Sequence, residues 1–208
     1  MPPVFDFELE GLLTRDQAIQ LVGPLKQPLA NCWQFAWRDW DALPEEFRAR
    51  VSASPIARAN VLNALAVSYA KELLPAGVGI EPCDDLHFFK IYVTQGPLAA
   101  VLRFNGLGRD GAVHNINSSD QKHDYFCNLP IAGLRNDVTR LTVGYSVDPS
   151  KSRIQDITIS LQIGEDLIYD IPIDDEHIEQ LPVPEPAPPS APTATRVTMK
   201  GQRKAKEG

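Results

Sequence analysis

The chain has few cysteines, few histidines and no long apolar run, and each shortage excludes a class of protein. Cys32, Cys83 and Cys127 are its three thiols; they lie far apart and fall in no CxxC or Cys/His spacing. Neither a disulfide framework nor a zinc knuckle is encoded, and three free thiols are expected. Nowhere do the roughly 18 to 20 consecutive apolar residues of a membrane-spanning helix occur. Met1-Pro2-Pro3-Val4 has neither the basic start nor the apolar stretch of a signal peptide, so a cytoplasmic protein with no membrane attachment is expected. What is present is ordinary globular composition: 208 residues, 43% hydrophobic and 23% charged, enough for one domain of moderate size.

Charge is unevenly divided. The formal net charge is -7, but Met1 to Gln180 holds 15 Lys plus Arg against 25 Asp plus Glu, while Leu181 to Gly208 holds 5 against 2. An acidic body repels a phosphate backbone, which argues against a nucleic-acid-binding domain. Residues 181–192 place prolines at nearly alternate positions, deleting backbone donors and favouring polyproline II. A single folded domain over 1–180 and a disordered Pro-rich, then basic, tail over 181–208 are the expected organisation. Arg203 and Lys204 in that tail are candidates for contact with an acidic partner or, weakly, a nucleic acid. With no aromatic residue among them, base stacking is unavailable.

The first 80 residues read as helical. Thr14 caps a short helix to Val22, which Gly23-Pro24 ends. Trp33, Trp37 and Trp40 stand at offsets of four and three, so a helix over Asn31 to Trp40 puts all three indoles on one face. Each commits about 150–250 Å² of apolar surface, which must find a core or a partner; the three are therefore candidates for partner binding as well as for packing. Pro44-Glu45-Glu46 opens another short helix to about Val51. Ser54-Pro55 opens a longer one, with apolar residues at spacings of three and four as far as Leu74.

From about Asp85 the period changes to that of strands. Leu86 to Val93 and Leu98 to Phe104, joined by Gln95-Gly96-Pro97, read as a hairpin. Asn105 to Gly111 carries three glycines, but no helix pattern opens directly on them, so a mobile turn is expected in place of a phosphate cradle. Asn117 to Gln121 supplies capping chemistry for a short helix to about Phe126. Thr139–Val147, Ile154–Ile163 and Leu167–Ile173 alternate as three strands whose short links force antiparallel pairing. The fold class is α+β: N-terminal helices packed on one face of a mainly antiparallel sheet formed by residues 85–175.

Residues from about Leu86 to Ile173 resemble an uncharacterised family of small bacterial proteins. The likeness is carried by Val101-Leu102-Arg103-Phe104, Asn117-Ser118-Ser119-Asp120-Gln121, Arg140 to Asp148, Ile154 to Ile159 and the glycine turn and strand at Gly164 to Ile173. Genes of that family often sit beside one for a helix-turn-helix regulator joined to a zinc metallopeptidase of the ImmA/IrrE type. The resemblance implies an accessory component of a regulatory or toxin–antitoxin-like operon, with that regulator as a candidate partner. It brings no catalytic residue with it.

The residues themselves offer little convergent chemistry. No two of His87, His114, His123 and His177 have the three- or four-residue offset of a helical metal site, so no metal and no cofactor is expected. On a helix His123 and Cys127 share a face, which makes them candidates for a thiol–imidazole pair, but Asp124 opposes an electropositive setting for the thiol. His114 with Asp120 is a second candidate pair. The acidic residues from Asp170 to Glu179 lack the ligand alternation and central glycine of a calcium loop and read as a solvated edge. The leading expectation is a non-enzymatic protein-interaction module, with a small enzyme or toxin on His123/Cys127 or His114/Asp120 as the alternative.

Overall fold

A computed structural model of the chain describes residues 11–74, 77, 79–84, 89–114, 116, 119–135 and 137–173. The chain divides into two units, Met1–Asp174 and Asp175–Gly208, and every described residue belongs to the first. The expected tail, with Arg203 and Lys204, and the histidines His87 and His177 lie outside the described residues.

Four helices come first: α1 (Arg15–Val22), α2 (Lys26–Ala42), α3 (Glu45–Ser52) and α4 (Pro55–Leu73). Their starts are set by short-range chemistry. The Thr14 hydroxyl accepts from the Gln17 backbone N–H at 3.3 Å, and the Gln17 side chain accepts from the Thr14 N–H at 2.9 Å, a reciprocal cap that satisfies two otherwise orphaned donors. Ser54 caps α4 through the Ala57 N–H, with Pro55 in the first turn, where its missing donor costs nothing. A single 3-10 turn over Gly23–Leu25 separates α1 from α2.

The sheet has six strands in sequential order: β1 (Ile80–Asp84), β2 (Phe89–Gln95), β3 (Leu98–Gly106), β4 (Thr139–Val147), β5 (Ile154–Ile163) and β6 (Asp166–Pro172). Four of the five neighbouring pairs are antiparallel. The exception is β3 with β4, which run parallel with Leu102 opposite Leu141. A parallel pair needs a long crossover, and residues 107–138, including the short helix α5 (Asp120–Phe126), provide it.

Alternation along the strands divides two cores. Ile91, Ala100, Leu102, Phe104, Leu141, Val143 and Ile159 face the N-terminal helices together with all three tryptophans. Tyr92, Val101, Tyr125, Phe126, Ile131 and Leu134 form a second cluster on the opposite face. The expectation of a sheet covered on one face is thus corrected. The crossover packs α5 and its flanking loops onto the other side, because Val101 on β3 and Tyr92 on β2 would otherwise leave apolar surface in water. Tyr125 is fully buried, and its hydroxyl lies 3.2 Å from the Val101 carbonyl and 3.0 Å from the Leu141 carbonyl, spanning the parallel junction. Arg140 donates to the Asp124 and Tyr125 carbonyls at 2.7 and 3.3 Å, placing positive charge at the carbonyl end of α5.

β1 was not foreseen. Ile80-Glu-Pro-Cys-Asp84 does not alternate cleanly and contains Pro82, which is tolerated because β1 is an edge strand. Gly79 shapes the approach to it. At φ +85° it adopts a left-handed conformation, and a Cβ there would lie 2.3 Å from the Thr94 carbonyl oxygen.

Candidate functional site

The candidate groove lies where β3 and β4, running side by side, deliver their C-terminal ends next to the first half of α4. Two adjoining clefts open there, of about 330 Å³ and about 400 Å³. They share Ala59, Asn105, Gly106 and His114, so they form one continuous depression. Each reaches the lower range of small-ligand pockets, and together they suit something elongated.

At one end, Arg58 reaches from α4 and Lys151 from the turn between β4 and β5. Arg58 stacks over the Trp37 ring at 4.8 Å and lies 5.8 Å from the Trp40 ring, while its Nη2 donates to the Lys151 carbonyl at 2.9 Å. The Tyr145 ring lines the same cleft; burial pushes its phenol up to about 12, so it stays protonated at neutral pH. At the other end stand Arg103, Lys122, Asn60 and Asn63. Lys122 donates to the His114 carbonyl at 3.1 Å. Burial and, for Lys122, the neighbouring Arg103 charge hold both cations below their ordinary pKa, the mark of a locally positive, partly desolvated site.

Between the two ends sits His114. Its Nε2 lies 3.0 Å from Asp110 Oδ1, over Gly108, where a Cβ would come within 2.3 Å of the imidazole nitrogen. The glycine-bearing segment is held by its own bonds: Gly108 N–H to the Ala112 carbonyl at 2.8 Å, Ala112 N–H to Asp110 Oδ1 at 3.2 Å, and Leu107 N–H to the Tyr145 carbonyl at 2.9 Å. It is therefore a tied turn bordering the groove, where a mobile turn was expected. Among the described residues the next α-helix after this turn is α5, which starts at Asp120.

The other sequence candidates are placed as follows. Trp33, Trp37 and Trp40 are buried, with Trp33 packed against Tyr145 at 4.5 Å and Phe104 at 5.5 Å. Their stripe is core, and its link to the groove is indirect, as the platform under Arg58. His123 Nδ1 and Cys127 Sγ do approach, to 3.8 Å, across one turn at the end of α5. His114 pairs with Asp110, while Asp120 is exposed in the first turn of α5. Cys32 is buried and its thiol is pushed up to about 12 by that burial, far from a thiolate nucleophile. Among the described residues no cluster of three His, Cys, Asp or Glu side chains is arranged to hold a metal ion, and no helix is long and apolar enough to cross a membrane.

The groove cations went unnoticed in the sequence because they come from separate segments, at 58, 103, 122 and 151, with no shared spacing. The one local signal was the glycine-rich stretch from Asn105 to Gly111, which marks close backbone approach without saying to what. No family model, no curated protein and no solved structure matches the chain. The chemistry of the groove therefore carries the functional reading.

Proposed function

We propose that this chain is a non-enzymatic protein-interaction module whose groove receives an acidic, partly apolar peptide segment of a protein partner. One observation carries the reading. In a chain of net charge -7, the described residues lining the groove include Arg58, Arg103, Lys122, Lys151 and His114 and no aspartate or glutamate. A cation-lined cleft in an acidic protein focuses potential on one place, attracting anionic partners there while the rest of the surface repels them. Asn60, Asn63 and Asn105 add amide donors and acceptors suited to an extended backbone, and Ile56, 72% exposed at the rim, offers an apolar contact. The likeness carried by Val101 to Phe104 and Arg140 to Asp148 supports an accessory role in a regulatory or toxin–antitoxin-like operon. A helix-turn-helix regulator with a metallopeptidase domain is the proposed partner.

Fluorescence anisotropy with a labelled ten-residue peptide of alternating Glu and Leu tests the groove. Binding is expected to weaken with salt and to fall at least tenfold when Lys122→Gln and Asn63→Ala are combined. Equal binding of a Lys/Leu peptide, or an unchanged affinity in the double variant, would overturn the reading.

A further inference from the structure

Within the groove, we infer that the end between α4 and the β4–β5 turn is a subsite for a single oxyanion, a carboxylate or phosphoryl group presented by the bound segment; this rests on the groove being a binding site at all. Arg58 is positioned before any ligand arrives. Its guanidinium carbon lies over the Trp37 ring, 4.8 Å from the centroid, and one nitrogen is fixed by the Lys151 carbonyl at 2.9 Å, so little of its orientation has to be ordered on binding. Lys151 is held in the left-handed region at φ 57°, a conformation that costs a lysine roughly 1–2 kcal/mol and that here presents its carbonyl to Arg58 and its residue to the cleft. Among the described residues no carboxylate forms an ion pair with either side chain, although other surface cations of the chain, such as Arg48, Lys71 and Arg135, do have acidic partners. Arg58 and Lys151 both line a cleft of about 330 Å³ whose wall also includes an uncharged Tyr145 and the segment Gly106 to Gly108. A planar guanidinium with N–H groups beyond the one given to Lys151, in a cleft shared with a lysine and a glycine backbone that admits close approach, is suited to a two- or three-oxygen anion.

The probe is inorganic phosphate, titrated against the full chain at ionic strength held constant with chloride and read by tryptophan fluorescence, since Trp37 and Trp40 lie directly under Arg58. Saturable change in the wild type is expected, weakened at least tenfold by Arg58→Gln and by Lys151→Gly, which keeps the left-handed backbone. Arg135→Gln, a surface cation outside the groove, should leave it within about twofold. Thermal melts of each variant establish folding, and Lys151→Gly keeps the test decisive should Arg58→Gln fail to fold. Acetate run in parallel separates the sources: saturation by phosphate alone assigns a phosphoryl group, saturation by acetate alone a carboxylate, and saturation by both an oxyanion subsite that accepts either. A response that never saturates with either anion, or one unchanged in both variants, overturns the subsite. Failure of the Glu/Leu peptide with phosphate binding intact would instead remove the peptide reading and leave the subsite standing.

Discussion

Gly144 sits in the middle of β4, and replacing it with alanine should cost far more than strand propensity implies. A Cβ at this position would lie 2.4 Å from Leu107 Cγ and 2.6 and 2.7 Å from its two δ carbons, well inside van der Waals contact. The clash involves Cγ and both δ carbons, so a turn about χ2 gives no relief and only a change of χ1, which swings the whole isobutyl group away, clears the space. That swing takes the side chain out of its packing against the second core, while the Leu107 backbone stays tied by its N–H to the Tyr145 carbonyl at 2.9 Å. Overpacking of this kind costs about 1–3 kcal/mol. At about 2 kcal/mol, Gly144→Ala should lower Tm by roughly 4–8 °C in a domain of this size. The diagnostic is the double variant. Leu107→Ala alone loses packing, but in combination it removes the obstacle, so the two changes together should cost about 1–2 kcal/mol less than their sum. Urea melts of the four proteins measure this directly. An unaltered Tm for Gly144→Ala, or strict additivity in the cycle, would show that Leu107 does not press on β4 as described. Because Leu107 also lines the groove, Gly144→Ala should weaken binding of the Glu/Leu peptide as well.

Other perturbations have equally definite outcomes. Tyr125→Phe removes a buried hydroxyl set between the Val101 and Leu141 carbonyls and should cost about 1–2 kcal/mol in a urea melt, since those carbonyls gain no water in exchange. Gly79→Ala combines a collision with the Thr94 carbonyl and a left-handed φ of +85°; a loss of at least about 2 kcal/mol is expected, and hydrogen exchange should show β1 detaching first. Gln162 exchanges two bonds with the Val113 backbone, at 2.7 Å to its N–H and 3.0 Å to its carbonyl, so Gln162→Ala should raise amide exchange across residues 112–114. The Asp148 carboxyl, drawn down to about 2 chiefly by the Ser150 hydroxyl and also by the backbone N–H groups of Arg153 and Ser152, carries a definite pH sign. A depressed carboxyl contributes order to the 148–153 turn above its unfolded value of about 3.9 and loses it as pH falls from there toward about 2. NMR shifts of Ser150 and Ser152 should follow that window, and Asp148→Asn should abolish the transition.

Much of the architecture was legible because its signals are local. The Thr14 and Ser54 caps, Pro55 at a first turn, the four-and-three spacing of the tryptophans and the alternation from Thr139 to Ile163 each depend on residues within a turn or a strand of one another. The helices and five of the six strands follow from them. β1 was missed because Pro82 and a short, half-exposed pattern erase alternation at an edge, where packing does not enforce it. The second core was missed for a different reason. Val101 and Tyr92 were legible as strand residues, but which face they present, and that residues 107–138 return to cover it, depends on the parallel join of β3 to β4.

The sequence alone therefore determined the class of the fold, the helix starts that carry a cap or a first-turn proline, and the antiparallel pairing of β4, β5 and β6, because short links and local periodicity leave no other geometry; α2, which has no side-chain cap, begins at Lys26, five residues before the expected Asn31. Tertiary structure alone decided that the tryptophan face is interior, that His114 meets Asp110 and not Asp120, and that Arg58, Arg103, Lys122 and Lys151 line one groove. Electrostatic focusing depends on distance through space, and side chains nearly a hundred residues apart acquire a distance only when the sheet has formed.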